Sequence, residues 1–130
     1  MKLIYKRKGL FFMLNQTVIV GRLARNPEVT KLEDGKRVSN ITLAVPRSYK
    51  NEKGEYETDF ITCELWNGVA INTAEYCKQG DILGVKGRIK TDSYENESGE
   101  KVYKTSIVAE KVTFLSSKSK ESETDNDMEV

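Results

Sequence analysis

The sequence contains no histidine. That removes the commonest general base and the commonest metal ligand together. Histidine-dependent nucleophilic triads are excluded; chemistry run by carboxylates or lysines alone is not. Cysteine is nearly as scarce, with Cys63 and Cys77 the only two. Two thiols make neither a disulfide framework nor a four-ligand zinc site, and both read as small buried apolar residues. No apolar run approaches the length needed to span a bilayer. The basic start (Lys2, Lys6, Arg7, Lys8) leads into Leu10–Leu14, too short for a signal-peptide core and with no small-residue cleavage site after it. A cytoplasmic location is therefore expected. A large excess of one charge is also missing, since the total is +1. Residues 1–13 carry four basic groups and no acid, and residues 116–130 sum to −3, so the body 14–115 is neutral. Any anion-binding surface must come from arranging charges on one side.

What is present is room for one domain with a real core, in 130 residues. Its most telling stretch is Thr58–Trp66, Thr-Asp-Phe-Ile-Thr-Cys-Glu-Leu-Trp. On a strand, side chains alternate between faces. Ile61, Cys63 and Leu65 then form a core face, while Phe60, Thr62, Glu64 and Trp66 share the other. Two large rings among polar neighbours suit stacking on nucleobases. They would equally suit a second small core under a helix or loop, and this strand alone leaves both open.

Strand patterning begins at Leu14–Leu23, and Arg22 and Arg25 lie at its end. Residues 1–12 look unlike the rest of the chain, and Met13 is a candidate natural start. Asn26-Pro27 stops the segment. A short piece, Glu28–Leu32, precedes an Asp34-Gly35 hairpin signal. Arg37–Val45 alternates cleanly and is expected to end at Pro46. Arg47–Glu57 reads as a long projecting loop carrying Tyr49 and Tyr56 near Arg47, Lys50 and Lys53. Asn67–Gln79 is the one convincing helix, with Asn67 as its expected cap and Gly80 its expected left-handed end. In Ile82–Lys90 an apolar row (Leu83, Val85, Gly87, Ile89) opposes a cationic one (Lys86, Arg88, Lys90), which suits phosphate tracking or a plain solvated face. A loop, Thr91–Lys101, carries Tyr94, and Val102–Ala109 with Val112–Leu115 returns. Residues 116–130 read as a disordered acidic tail. No internal repeat is found.

This order is all-β with one short helix between the third and fourth of five strands, which matches the OB-fold, a five-stranded Greek-key barrel with long projecting hairpin loops. Its binding face would carry Phe60, Trp66, Tyr49 and Tyr94 for stacking. Arg22, Arg47, Lys50, Lys86, Arg88 and Lys90 are the candidates for phosphate contacts. No catalytic residue, cofactor or metal is expected. An OB-fold nuclease would need clustered carboxylates holding a metal, and only Glu64 lies on the aromatic face. The other alternative is an OB-fold interaction subunit of a replication complex that touches DNA incidentally.

Leu14–Leu23 with Asn26-Pro27-Glu28, Ser39–Val45, Thr58–Trp66 and Lys86–Thr91, taken together, resemble bacterial single-stranded DNA-binding proteins. The likeness runs from about Met13 to Leu115, the whole expected domain 13–115. It implies sequence-independent binding of single-stranded DNA in replication, recombination and repair. Tyr49, Phe60 and Tyr94 fall where such proteins often have tryptophan, and Trp66 where they have phenylalanine or tryptophan. The likeness also implies a homotetramer. One departure is the C-terminus: the acidic tip ends Met128-Glu129-Val130, without the family's terminal Pro-Phe, which puts recruitment of replication or repair proteins in doubt.

Overall fold

A computed structural model describes residues 13–116. The expectations for residues 1–12 and for the tail beyond Ser116 lie outside the described residues. The elements are β1 (Thr17–Leu23), β2 (Thr30–Lys31), β3 (Arg37–Lys50), β4 (Tyr56–Trp66), α1 (Asn67–Tyr76), β5 (Ile82–Glu95) and β6 (Lys101–Ser116). Neighbours run β1-β5-β6-β4-β3, and β3 closes back onto β1 through Arg22↔Ala44 and Leu23↔Leu43. β2 is a short flap on β3. The β4–β6 pair is parallel and the others are antiparallel. This is the closed five-stranded barrel expected of an OB-fold.

The period-two pattern fills the barrel. Leu23, Ile41, Leu43, Cys63, Leu65, Leu83 and Val85 point inward and are buried, with Ile107 and Ala109 of β6 beside them. Each large aliphatic side chain buried this way contributes about 1.5–3 kcal/mol. α1 lays Ala70 and Thr73 over one end of the barrel, and Cys77 comes just past it. Both cysteines are unpaired and buried. Loss of water pushes the Cys63 thiol up to about 12. The same loss, helped by Asp81, pushes Cys77 up to about 11. They are core residues, as their scarcity suggested.

Where β6 crosses β5 the ladder shifts register between Lys86 and Gly87. The approach is so close that a Cβ on Gly87 would lie 2.0 Å from the Val108 carbonyl oxygen. Only glycine fits there.

Several local readings are corrected. β3 does not end at Pro46: it continues to Lys50, with an irregularity between Pro46 and Lys50 that absorbs proline's missing N–H. The expected loops Arg47–Glu57 and Thr91–Lys101 are mostly two-stranded ribbons. Only 51–55 and 96–100 turn the chain. Both turns read Asn-Glu-x-Gly-Glu, a five-residue recurrence that a search for longer repeats passes over. The Asn51 and Asn96 Oδ1 atoms accept from backbone N–H groups of Lys53 and Glu55, and of Ser98 and Glu100. Gly54 and Gly99 take left-handed φ values of +79° and +81°. The ribbons stand clear of the core, so both faces are wet and the alternation that marks a strand fades.

α1 stops at Tyr76, short of Gln79, because Cys77 returns to extended backbone. Gly80 does have a φ of +96°, but its N–H donates to the Leu23 carbonyl (2.8 Å) and so serves the barrel, not the helix end. Asn67 does not cap with its side chain. Its Oδ1 accepts from the Arg37 N–H (3.0 Å), tying the start of α1 to β3.

Candidate nucleic-acid interface

The outer face of β4 carries Phe60, Thr62, Glu64 and Trp66, since Ile61, Cys63 and Leu65 are claimed by the core. Register sets the neighbours. Phe60 lies beside Ala44 on β3, and Ala44 beside Arg22 on β1. Ala44 is too small to cover the ring, so Phe60 stands 68% exposed. Arg22, Ala44, Phe60 and Gln79 line one open cleft of about 540 Å³. In it the Arg22 guanidinium donates to the Gly80 carbonyl (2.6 Å). A flat ring and a cation thus share one cleft wall to wall.

Trp66 is on the same outer face but half-buried. Its indole Nε1–H donates to Glu64 Oε1 (2.7 Å). Glu64 also accepts from Lys90 Nζ, at 3.3 and 3.4 Å. Lys90 lies 3.6 Å from Asp92 as well. The hydrogen bond to Glu64, then its charge, hold the Lys90 ammonium above its ordinary pKa. Lys86 and Arg88 point outward from β5 with exposed side chains.

Arg47 is more tightly held. Its Nη2 lies 2.9 Å from Asp59, its Nε donates to both Asp59 oxygens at 3.2 Å, and Nη1 reaches Glu57 at 2.6 Å. The hydrogen bond from Arg47 draws the Asp59 carboxyl below its ordinary 3.8. A carboxyl-carbon NMR titration should therefore find Asp59 half-protonated below 3.8, and Arg47→Ala should return it toward that value. Because the folded pKa is the lower one, any stability from this exposed pair is present above the unfolded-state pKa and is lost as pH falls through the folded one.

Tyr49 and Tyr94 stand on the ribbons, 64% and 56% exposed. Lys50 reaches over the Tyr56 ring, 5.7 Å from its centroid. Of the ten candidate residues, the register brings Arg22 and Phe60 into one row; Trp66 and Lys90 meet through Glu64. Tyr49, Lys50 and Tyr94 are out on the ribbons. On the ribbons the stacking candidates omit two further exposed rings, Tyr56 and Tyr103, the latter under Lys101 at 5.7 Å. Strand alternation carried on from Phe60 finds Tyr56; Tyr103 pairs with Ser93 and so lies on the opposite face of its ribbon from Tyr94.

Barrel topology, a protruding ring on the outer face of its middle strand, and cations around it make one surface. The sequence profile of the single-strand binding protein family matches residues 14–115. The chain belongs to that family. Three similar proteins show how far the likeness extends. Single-stranded DNA-binding protein B of Bacillus subtilis is 47% identical over 113 residues, 87% of this chain and 100% of that one. The single-stranded DNA-binding protein of Halalkalibacterium halodurans is 47% identical over 85% of this chain and 66% of its own length. Single-stranded DNA-binding protein 3 of Listeria innocua is 48% identical over 82% and 66%. The chain thus spans all of the first relative and just under two thirds of the other two. Family membership accounts for the barrel and for the match of all four sequence stretches in order. Among the described residues, no cluster of Cys, Asp and Glu could hold a metal ion. No helix among them is long and apolar enough to cross a membrane.

Proposed function

We propose that this chain sheathes single-stranded DNA without reading its sequence. Bases stack on Phe60 and Trp66 and, along the ribbons, on Tyr49 and Tyr94. Arg22, Arg47, Lys50, Lys86, Arg88 and Lys90 supply the phosphate contacts. It is a binding protein of the single-strand binding family and not an enzyme. Phe60 carries the reading: a large apolar ring held out in water by a strand whose other face is core, next to a guanidinium. The test is a titration of Trp66 fluorescence with oligo-dT over a salt series. Quenching that weakens with salt supports it; no response to the oligonucleotide overturns it. The same titration separates this reading from the interaction-subunit alternative, in which only a protein partner changes the emission.

The cations should not contribute equally. Lys86 and Arg88 carry no carboxylate partner among the described residues. Lys86→Ala and Arg88→Ala should each lower the slope of log affinity against log salt by about 0.7, the counterion release of one single-strand phosphate contact. Arg47→Ala should lower it by clearly less, because Asp59 and Glu57 already neutralise that charge.

A homotetramer is part of the proposal. Thr17–Gly21 pair with β5 alone, since β3 meets β1 only at Arg22 and Leu23. That leaves five residues of free strand edge beside the exposed Val18 and Val20. An unpaired edge with apolar side chains favours pairing with another copy. Native mass spectrometry showing four subunits supports this, and a monomer contradicts it. Residues 1–12 are proposed as an extension ahead of a start at Met13, with the domain at 13–115 and a tail at 116–130. The setting is the cytoplasm, in replication, recombination and repair.

A further inference from the structure

Among the proposed phosphate ligands, Arg47 and Lys90 already hold carboxylates, and one of those carboxylates also holds a stacking ring. Glu64 sits near the C-terminal end of β4 on its outer face, with Thr62 and Trp66 as its neighbours on that face. Across the strands it lies beside Asn40 of β3 and Val108 of β6, neither charged. Its side chain is only 14% exposed, and that of Lys90 is 33% exposed. The carboxylate accepts from the Trp66 indole at 2.7 Å and from Lys90 at 3.3 Å. A negative charge here works against a polyanion twice. It repels the passing backbone, and it occupies the ammonium that a phosphate would need. Yet it is also the group that fixes the ring.

We propose that Glu64 is a built-in competitor for DNA phosphate at Lys90. A strand laid on this face draws Lys90 from Glu64 to a phosphate, while Glu64 keeps its hydrogen bond to Trp66. The inference rests on this face being the one that binds DNA. It makes Lys90 nearly silent in the salt dependence of binding. The phosphate releases a counterion when Lys90 arrives, and the carboxylate left behind takes one up. Glu64 is a positioning residue for Trp66 and a brake on affinity at once.

The test uses the full chain and oligo-dT, from about 50 mM to about 200 mM salt. E64Q keeps an oxygen that accepts the indole hydrogen bond but removes the charge. It should bind more tightly than the wild type at low salt, with a slope steeper by about 0.7. Its advantage should shrink about 2.5-fold across that salt range. K90M alone should leave the wild-type slope unchanged, and K90M added to E64Q should remove the steepening. Equal affinity and slope for E64Q and the wild type overturn the inference, as does a fall of about 0.7 on K90M with Glu64 present. An unchanged melting temperature and Trp66 emission before DNA is added show that E64Q is folded. If E64Q does not fold, the K90M slope decides by the same criterion. F60A run alongside separates the two levels. If F60A binds as tightly as the wild type, the assignment of the face fails. If F60A is weakened and E64Q is unaltered, only the competition fails.

Discussion

Phe60→Ala should weaken oligo-dT binding by roughly 5- to 150-fold while leaving the barrel intact. The magnitude is that of one stacked base, about 1–3 kcal/mol. The sparing of the fold comes from the ring's position. Phe60 alternates with Ile61 and Cys63, which face the core, and its own side chain is 68% exposed. Little apolar burial is lost on truncation, so the melting temperature should hardly move. Trp66→Ala is a less clean probe, because that ring is half-buried and its loss frees Glu64 to bind Lys90 alone. A fluorescence titration with a thermal melt on the same sample checks both halves of the expectation. Unchanged affinity for Phe60→Ala would remove the ring from the binding surface.

Gly87→Ala should be the most damaging small substitution for stability. The added methyl would lie 2.0 Å from the Val108 carbonyl oxygen and 3.1 Å from the Ala109 Cα. Both are backbone atoms on β6 at a register shift, so no side chain can swing aside. Either β5 or β6 must move, and with it the seam that closes the barrel. Forced overpacking of this kind costs about 3 kcal/mol. In a domain of this size that lowers the melting temperature by more than about 10 °C. Gly68→Ala is the control: a Cβ there meets nothing within 4 Å, and alanine favours a helix. A Gly87→Ala protein that melts like the wild type would show that the seam is looser than this packing requires.

The barrel was legible because its core obeys period two. Ile41 and Leu43, Ile61 to Leu65, and Leu83 and Val85 announce their strands without help. The outer face came from the same parity: once Ile61 and Cys63 turn inward, Phe60 must turn outward. What parity does not carry is anything settled by long-range pairing. Pro46 looked like a stop because its missing N–H is costly in a ladder, and nothing local reveals that an irregularity before Lys50 absorbs the loss. The ribbon arms looked like loops because no core lies beneath them to impose alternation. Asn67 looked like a helix cap by residue type, but Arg37, thirty positions earlier, takes its side chain. The charges were the least legible. Arg47 and Lys90 read as cations for phosphate, and only the folded register brings Asp59, Glu57 and Glu64 to them.

The most direct measurement is ultraviolet crosslinking of the full chain to oligo-dT, with the adduct sites located by mass spectrometry. Adducts on the peptide bearing Phe60 and Trp66, and on the ribbon tyrosines Tyr49 and Tyr94, are the predicted result. Adducts confined to Tyr76 and Phe114, which pack against each other on the α1–β6 side, would contradict it.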